Sequence, residues 1–253
     1  EQGALLCTAR LVEAVPWIDA KYYAATQVVD EARHVEAFAR YLDEKMPATY
    51  PINENLKSLI DQVLRDERWD LVYLGMQVVI EGLALAAFGL MLGTTQEPLL
   101  KAMLRYIMAD EARHVAFGIL SLQELYEDMD AAEFRVRQEF AYEACNMMRR
   151  RTLNSELWPS FGISNDEIEA LLPSQQSQQR MQHLLFSKIV PNCKKLGLLD
   201  LRDGWLRERF QEMGIIQYEN WENTAEALTV GDAVEPIYAG SAGSPDSAGP
   251  VTS

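Results

Sequence analysis

Two copies of the pentapeptide Asp-Glu-Ala-Arg-His, Asp30–His34 and Asp110–His114, put a carboxylate and an imidazole three residues apart. On a helix, residues at that spacing share one face, so each copy can aim an oxygen and a nitrogen ligand at the same point. Each copy also has a glutamate thirty positions before its own: Glu1 before Glu31, and Glu81 before Glu111. Four carboxylates and two imidazoles from four helices make the ligand set of a carboxylate-bridged centre of two metal ions. The chain holds three histidines in all, and the motifs take two of them. A single Glu-x-x-His on a helix is ordinarily a solvated surface pair; two identical copies with matched upstream glutamates are not explained that way. Glu1, Glu31 and His34 from one half and Glu81, Glu111 and His114 from the other are therefore the expected metal ligands. Glu13 is the alternative to Glu1, but its spacing to Glu31 places it near the far end of a hairpin.

The charge and chemistry of the set narrow the metal. Four glutamates balance two divalent ions, which keeps the centre neutral inside a medium of low dielectric. Oxygen-rich ligation with little nitrogen suits iron or manganese better than structural zinc, which prefers cysteine and histidine. Two Fe ions are expected, with a mixed Mn/Fe pair as the alternative.

Helices must carry these groups. Helical periodicity runs from Glu1 to about Glu226, with no sustained alternation of the strand kind, so the fold class is all-α. Helices are expected near 1 to 15, 18 to 45, 54 to 66, 68 to 92, 97 to 128, 131 to 157, 165 to 172, 175 to 190 and 193 to 213. Pro16, Pro47 with Pro51, Gly93, Pro98, Pro159, Pro173 and Pro191 mark most of the breaks. At about 1.5 Å per residue the chain rises roughly 22 Å from Glu1 to Pro16 and returns about 20 Å from Ile18 to Glu31. From Glu81 to Gly93 it rises roughly 18 Å and returns about 20 Å from Pro98 to Glu111. Two antiparallel hairpins thus bring each glutamate level with a Glu-x-x-His. An approximate two-fold axis between the hairpins would enclose two ions.

Composition sets the outer bounds. A chain of 253 residues, 48% hydrophobic and 24% charged, can bury one substantial core. The expected organisation is a di-metal helical bundle over 1–128, further helices packed on it over 129–230, and a disordered Gly/Ser/Ala/Pro-rich tail over 231–253. A net charge of −15 repels nucleic acid and anionic membranes, so no nucleic-acid partner is expected. Leu71–Leu92 is apolar enough to span a bilayer, but Glu81 and Gln77 interrupt it, and a helix buried on all sides has the same composition. No membrane span is expected. Cys7, Cys145 and Cys193 lack CxxC spacing and read as free thiols of a reducing cytoplasm. The sequence begins without Met inside the first ligand helix, so residues upstream of Glu1 are expected.

The repeated Asp-Glu-x-Arg-His motif resembles that of the ferritin-like di-iron carboxylate superfamily. Within it, the oxygenase branch of bacterial multicomponent monooxygenase hydroxylases and acyl-carrier-protein desaturases is most similar, over roughly residues 1 to 120. The resemblance implies a ferritin-like four-helix bundle with additional C-terminal helices. It implies a cytoplasmic non-haem di-iron oxygenase or oxidase that uses O2 to hydroxylate, desaturate or N-oxygenate a small organic, apolar substrate. It further implies that Asp30 supports His114, that Asp110 supports His34, and that Arg33 and Arg113 hold these carboxylates, an outer ring that fixes each imidazole tautomer. No flavin motif or cysteine cluster is present, so electrons are expected from a reductase or ferredoxin; a homodimer is a further expectation.

Departures from the family matter equally. Ala84 and Leu85 stand where hydroxylases and desaturases of the branch often carry a threonine, and Phe38 stands where radical-generating reductase subunits carry their tyrosine. Ile107, four residues before Glu111, stands where arylamine N-oxygenases supply a third histidine, so that subgroup is not matched cleanly. Leu5, Phe38, Met76, Leu85, Phe88 and Phe117 are the expected apolar pocket wall, although such residues at helical spacing are more often plain core. The readings kept beside the oxygenase are rubrerythrin- or ferritin-type iron or peroxide handling and a radical-generating or Mn/Fe ligand-binding oxidase.

Overall fold

The computed structural model describes residues 1–47, 49, 51–152, 162 and 175–221, and among them all regular structure is helical. Helix α1 (Gln2–Ala14) packs antiparallel on α2 (Ile18–Lys45), turning at Pro16. Helix α3 (Glu54–Arg65) starts at Asn53, whose side chain accepts from the amides of Asn55 and Leu56 at 3.1 and 3.3 Å. A continuous helix α4 spans Trp69–Thr94 and packs on α5 (Pro98–Asp128). Glu97 starts α5 by accepting from the Leu100 amide at 2.6 Å, with Pro98 filling a first-turn position that has no amide to satisfy. Asp130 caps α6 (Ala131–Thr152) by accepting from the Ala132 and Glu133 amides, each at 2.9 Å. Helix α7 (Gln175–Lys195) lies against the second half of α4, and α8 (Trp205–Glu212) against α6.

The buried stripes of α2 and α5 carry ionisable groups. Along α2 the buried residues are Ala20, Ala24, Gln27, Glu31 and His34. Along α5 they include Leu104, Ile107, Glu111, His114, Gly118 and Leu122. The three-to-four periodicity is that of an amphipathic helix, yet ionisable groups occupy the middle of the apolar face. Burying charge there is costly unless it is paired, so the bundle must supply partners at that level.

Helix α4 is not uniform: Leu74–Ile80 is a π-helix between the α segments Trp69–Tyr73 and Glu81–Thr94. Its wide turn ends one residue before Glu81, and such stretches occur often beside functional groups. Gly75 lies in this stretch because a Cβ there would stand 2.5 Å from Val63 Cγ2 and 2.9 Å from the Phe140 ring. Helix α4 is the one described helix long and apolar enough to cross a membrane, and most of it is covered by the rest of the protein.

The C-terminal helices differ from expectation. Pro191 was expected to break the chain, yet α7 passes through it to Lys195. The helix stops instead at Gly197, which adopts φ +74° and donates to the Lys194 carbonyl at 2.8 Å while Leu198 donates to Cys193 at 3.0 Å. That double closure ends a helix through a left-handed residue, which glycine adopts at little cost. The helix expected over 193–213 is therefore replaced by turns and the short α8. The helix expected over 165–172, the breaks at Pro159 and Pro173, and the tail 231–253 lie outside the described residues.

Candidate metal centre

Four helices bring the six expected ligands together at mid-bundle. Glu1 precedes α1, Glu31 and His34 come from α2, Glu81 from α4, and Glu111 and His114 from α5. Two quartets result: Glu1, Glu31, His34 and Glu111, and Glu31, Glu81, Glu111 and His114, with the candidate ligand atoms of each within 4.8 Å of one another. Glu31 and Glu111 belong to both. The individual oxygens divide the same way. Glu31 turns Oε2 to His34 Nδ1 (3.5 Å) and Oε1 to His114 Nδ1 (3.2 Å). Glu111 turns Oε1 to His34 Nδ1 (3.1 Å) and Oε2 to His114 Nδ1 (3.7 Å). Glu1 reaches only His34 (3.5 Å) and Glu81 only His114 (3.9 Å). Two carboxylates thus face both imidazoles while two face one each, which is the pattern two ions sharing a pair of bridges require.

The outer faces of the imidazoles are tied across the two-fold axis. His34 Nε2 lies 3.1 Å from Asp110 Oδ2, and His114 Nε2 lies 3.3 Å from Asp30 Oδ2. A carboxylate accepts, so each Nε2 carries a proton, and Nδ1 is the nitrogen left facing the cluster, where it could ligate an ion on losing its own proton. Arg33 pairs with Asp30 and reaches Asp110 at 3.6 Å. Arg113 mirrors it, 2.5 Å from Asp110 and 3.6 Å from Asp30. Each guanidinium therefore spans both aspartates, holding the rim as one network.

Burial and charge set the electrostatics. Burial opposes ionisation of Glu31, but the neighbouring His114 and His34 imidazoles outweigh it and bring its carboxyl down to about 2. Burial, together with the charges of Glu111, Glu31 and Glu1, pushes Glu81 well above the usual carboxylate range against the pull of His114. Burial lowers the affinity of His114 for a proton, but Asp30, Glu111 and Glu31 raise it to about 12. His34 rises strongly for the same reason, with Asp110, Glu1, Glu111 and Glu31 around it. A field that favours positive charge so strongly on the Nδ1 side would equally favour a divalent cation there.

The donor set passes a direct test of fit. His34 Nδ1, His114 Nδ1, Glu31 Oε2 and Glu81 Oε2 are buried without a hydrogen-bond partner. Orphaned lone pairs on buried groups carry a penalty of about 1 to 3 kcal/mol each, and all four point where a cation would satisfy them. Oxygen donors outnumber nitrogen donors two to one, which fits iron or manganese.

Three residues absent from the expected set complete the site. Gln27, one turn before Glu31, donates from Nε2 to Glu31 Oε1 (3.1 Å) and Glu81 Oε1 (2.8 Å). Gln77 Nε2 donates to Gln27 Oε1 at 2.9 Å. Tyr23 stacks on Phe117 with centroids 3.7 Å apart, and burial pushes its phenol up to about 12. The polar break that Gln77 makes in the apolar run 71–92 was the available signal. Of the expected pocket residues, Met76 and Leu85 are buried, while Leu5, Phe38, Phe88 and Phe117 are half-buried, with the Phe38 and Phe88 rings 5.4 Å apart. An open cleft lies elsewhere, along the polar face of α3 at Glu54, Lys57, Asp61 and Arg65.

Comparison with known proteins gives one family. The family model described as P-aminobenzoate N-oxygenase AurF matches residues 14–197, a stretch that holds Glu31, His34, Glu81, Glu111 and His114 but not Glu1. No curated protein and no solved structure matches the chain. The arylamine N-oxygenases, which Ile107 matched poorly, are thus the group that the family model supports, with this apolar side chain 4% exposed. With most of its length matched, the chain belongs to the p-aminobenzoate N-oxygenase AurF family of di-iron oxygenases and is an oxidoreductase.

Proposed function

We propose that the protein is an O2-dependent N-oxygenase that holds two iron ions between its hairpins and oxidises a small aromatic amine. One observation carries the reading: Glu31 and Glu111 each turn one oxygen toward His34 and the other toward His114. The family supports the amine as substrate class. Conversion of an amine to a hydroxylamine with O2 takes up two electrons and two protons and releases water; a bound iron pair supplies the redox chemistry.

The chain's own groups hold and shield that centre. Glu1 and His34 would complete one position, Glu81 and His114 the other, with Glu31 and Glu111 shared. Asp30 and Asp110 keep each imidazole with its proton on Nε2, and Arg33 with Arg113 stops the aspartates from turning away. Phe117 and Tyr23 on one side and Phe38 and Phe88 on the other would present apolar surface to an aromatic ring while limiting water. Electrons would come from a reductase or ferredoxin in the cytoplasm.

Metal analysis after anaerobic loading with Fe(II), followed by assay with p-aminobenzoate, O2 and a chemical reductant, tests the reading. Two irons per chain and a hydroxylamine or nitro product are expected. His34→Ala should retain about one ion, whereas Glu111→Ala, which removes a shared bridge, should lose both. Full loading of both variants would refute the ligand set; full loading of the parent with no oxidised amine would refute the substrate class alone.

A further inference from the structure

The two quartets share the same ligand types but not the same surroundings. Gln27, 1% exposed, stands four residues before Glu31, and the residue four before Glu111 on the other hairpin is the apolar Ile107. The NH2 group of Gln27 reaches Glu31 and Glu81 together, and its carbonyl accepts from Gln77. Both carboxylate oxygens that receive Gln27 are the ones that face His114: Glu31 Oε1 and Glu81 Oε1. Glu31 Oε2, which faces His34, receives nothing from it.

Gln77 is held in turn by the fold. It lies fully buried in the π-helical stretch of α4, and its Oε1 has no partner, so the side chain carries a cost that an apolar residue there would avoid. Its Cβ fits against Gly118, where an added Cβ would stand 2.5 Å away. The missing side chain on α5, the wide turn of α4 and two buried amides all serve one pair of oxygens.

We propose that Gln27, steadied by Gln77, is a positioning residue that makes the two cation positions unequal, so that the ion between Glu81 and His114 binds first and more tightly than the ion between Glu1 and His34. This rests on the quartets being a two-metal site. Two donors from one amide fix the rotamers of Glu31 and Glu81 before any ion arrives; Glu31 is shared, but Glu81 serves only the position beside His114, so more ordering cost is removed there. On the other side Ile107 leaves Glu111 without an equivalent hold.

Titration of the protein with Mn(II), followed by calorimetry and electron paramagnetic resonance, separates the possibilities. The parent should bind two ions in two steps, the first giving an isolated Mn(II) signal and the second a coupled one. Gln27→Leu should weaken the first step about 10- to 100-fold and leave the second within about threefold, so the isolated signal disappears. His114→Ala should remove the tight step and His34→Ala the weak one. Gln77→Met, which leaves Gln27 in place without its anchor, should move the first step in the same direction and serves if Gln27→Leu does not fold. Parent-like affinities in both glutamine variants, equal weakening of both steps, or loss of the tight step in His34→Ala would overturn the proposal while leaving the two-metal reading intact. A parent that binds no Mn(II) pair would overturn both.

Discussion

Cys7, Cys145 and Cys193 show how single residues follow their surroundings rather than their type. All three are fully buried free thiols. Burial, with the charges of Glu81 and Glu31 adding to it, pushes Cys7 up to about 12; burial drives Cys193 to about 12, and burial with the neighbouring Cys193 drives Cys145 well above the ordinary value. Thiolate is the reactive form, so none should react with a disulfide reagent at pH 8 in the folded protein, and all three should react in denaturant. A fast native reaction of even one thiol would contradict this burial. The pH sense follows: a raised folded value contributes stability that is complete below the unfolded thiol value of about 8.5 and is lost as pH climbs toward 12. The ligand residues were legible for the opposite reason. Glu31, His34, Glu111 and His114 carry their geometry in their spacing, because three residues on a helix define a shared face. Gln27 and Gln77 did not, since a glutamine has no titration and no ligand spacing to mark it; its role exists only once α2 and α4 meet.

At the level of elements, α4 is locked at its start by a buried ion pair as well as by packing. Asp70 accepts from Arg137 Nε and Nη2 at 2.8 and 3.0 Å, with Glu133 on the remaining side of the guanidinium. Both members of the bidentate pair are about 5% exposed. Removing Asp70 strips the buried Arg137 of its bidentate partner and leaves it only Glu133, so Asp70→Ala should destabilise the fold by about 3 kcal/mol in urea denaturation. The exposed pair Arg40–Glu44 within α2 should change stability little when broken. An Asp70→Ala loss no larger than that of Glu44→Ala would show that the pair holds nothing. The helices that position the ligands were readable from periodicity and proline punctuation, and their bounds fall within a few residues of those expected. Two features were not. The π-helix of Leu74–Ile80 has no signature in an apolar run that would pack as well in ordinary α-helical form. Closure of α7 depends on Gly197 taking a positive φ, whereas Pro191 offered a stronger local reason to stop and was overridden by packing of its buried neighbours Ile189, Val190 and Cys193.

For the whole molecule, the quantity that bears on the proposed oxygenase is the excess of negative charge around a centre that, on that reading, would receive electrons. The sequence carries 38 acidic and 23 basic residues, a net −15. Five of the six ligands, Glu31, Glu81, Glu111, His34 and His114, are each no more than 2% exposed, and only Glu1 is partly open, so a donor would meet the protein surface before the ligands. Diffusional encounter then reports the long-range field, which attracts cations and repels anions and is screened over about 8 Å at physiological ionic strength. With two irons loaded, reduction by a cationic viologen radical should slow as salt is added, and reduction by anionic dithionite should quicken. Stopped-flow traces of the iron absorption at low and high salt measure both. The opposite salt dependence for either reductant would mean that a local basic patch near the entry point outweighs the global charge, and it would shift the expected physiological donor from a basic protein face to an acidic one.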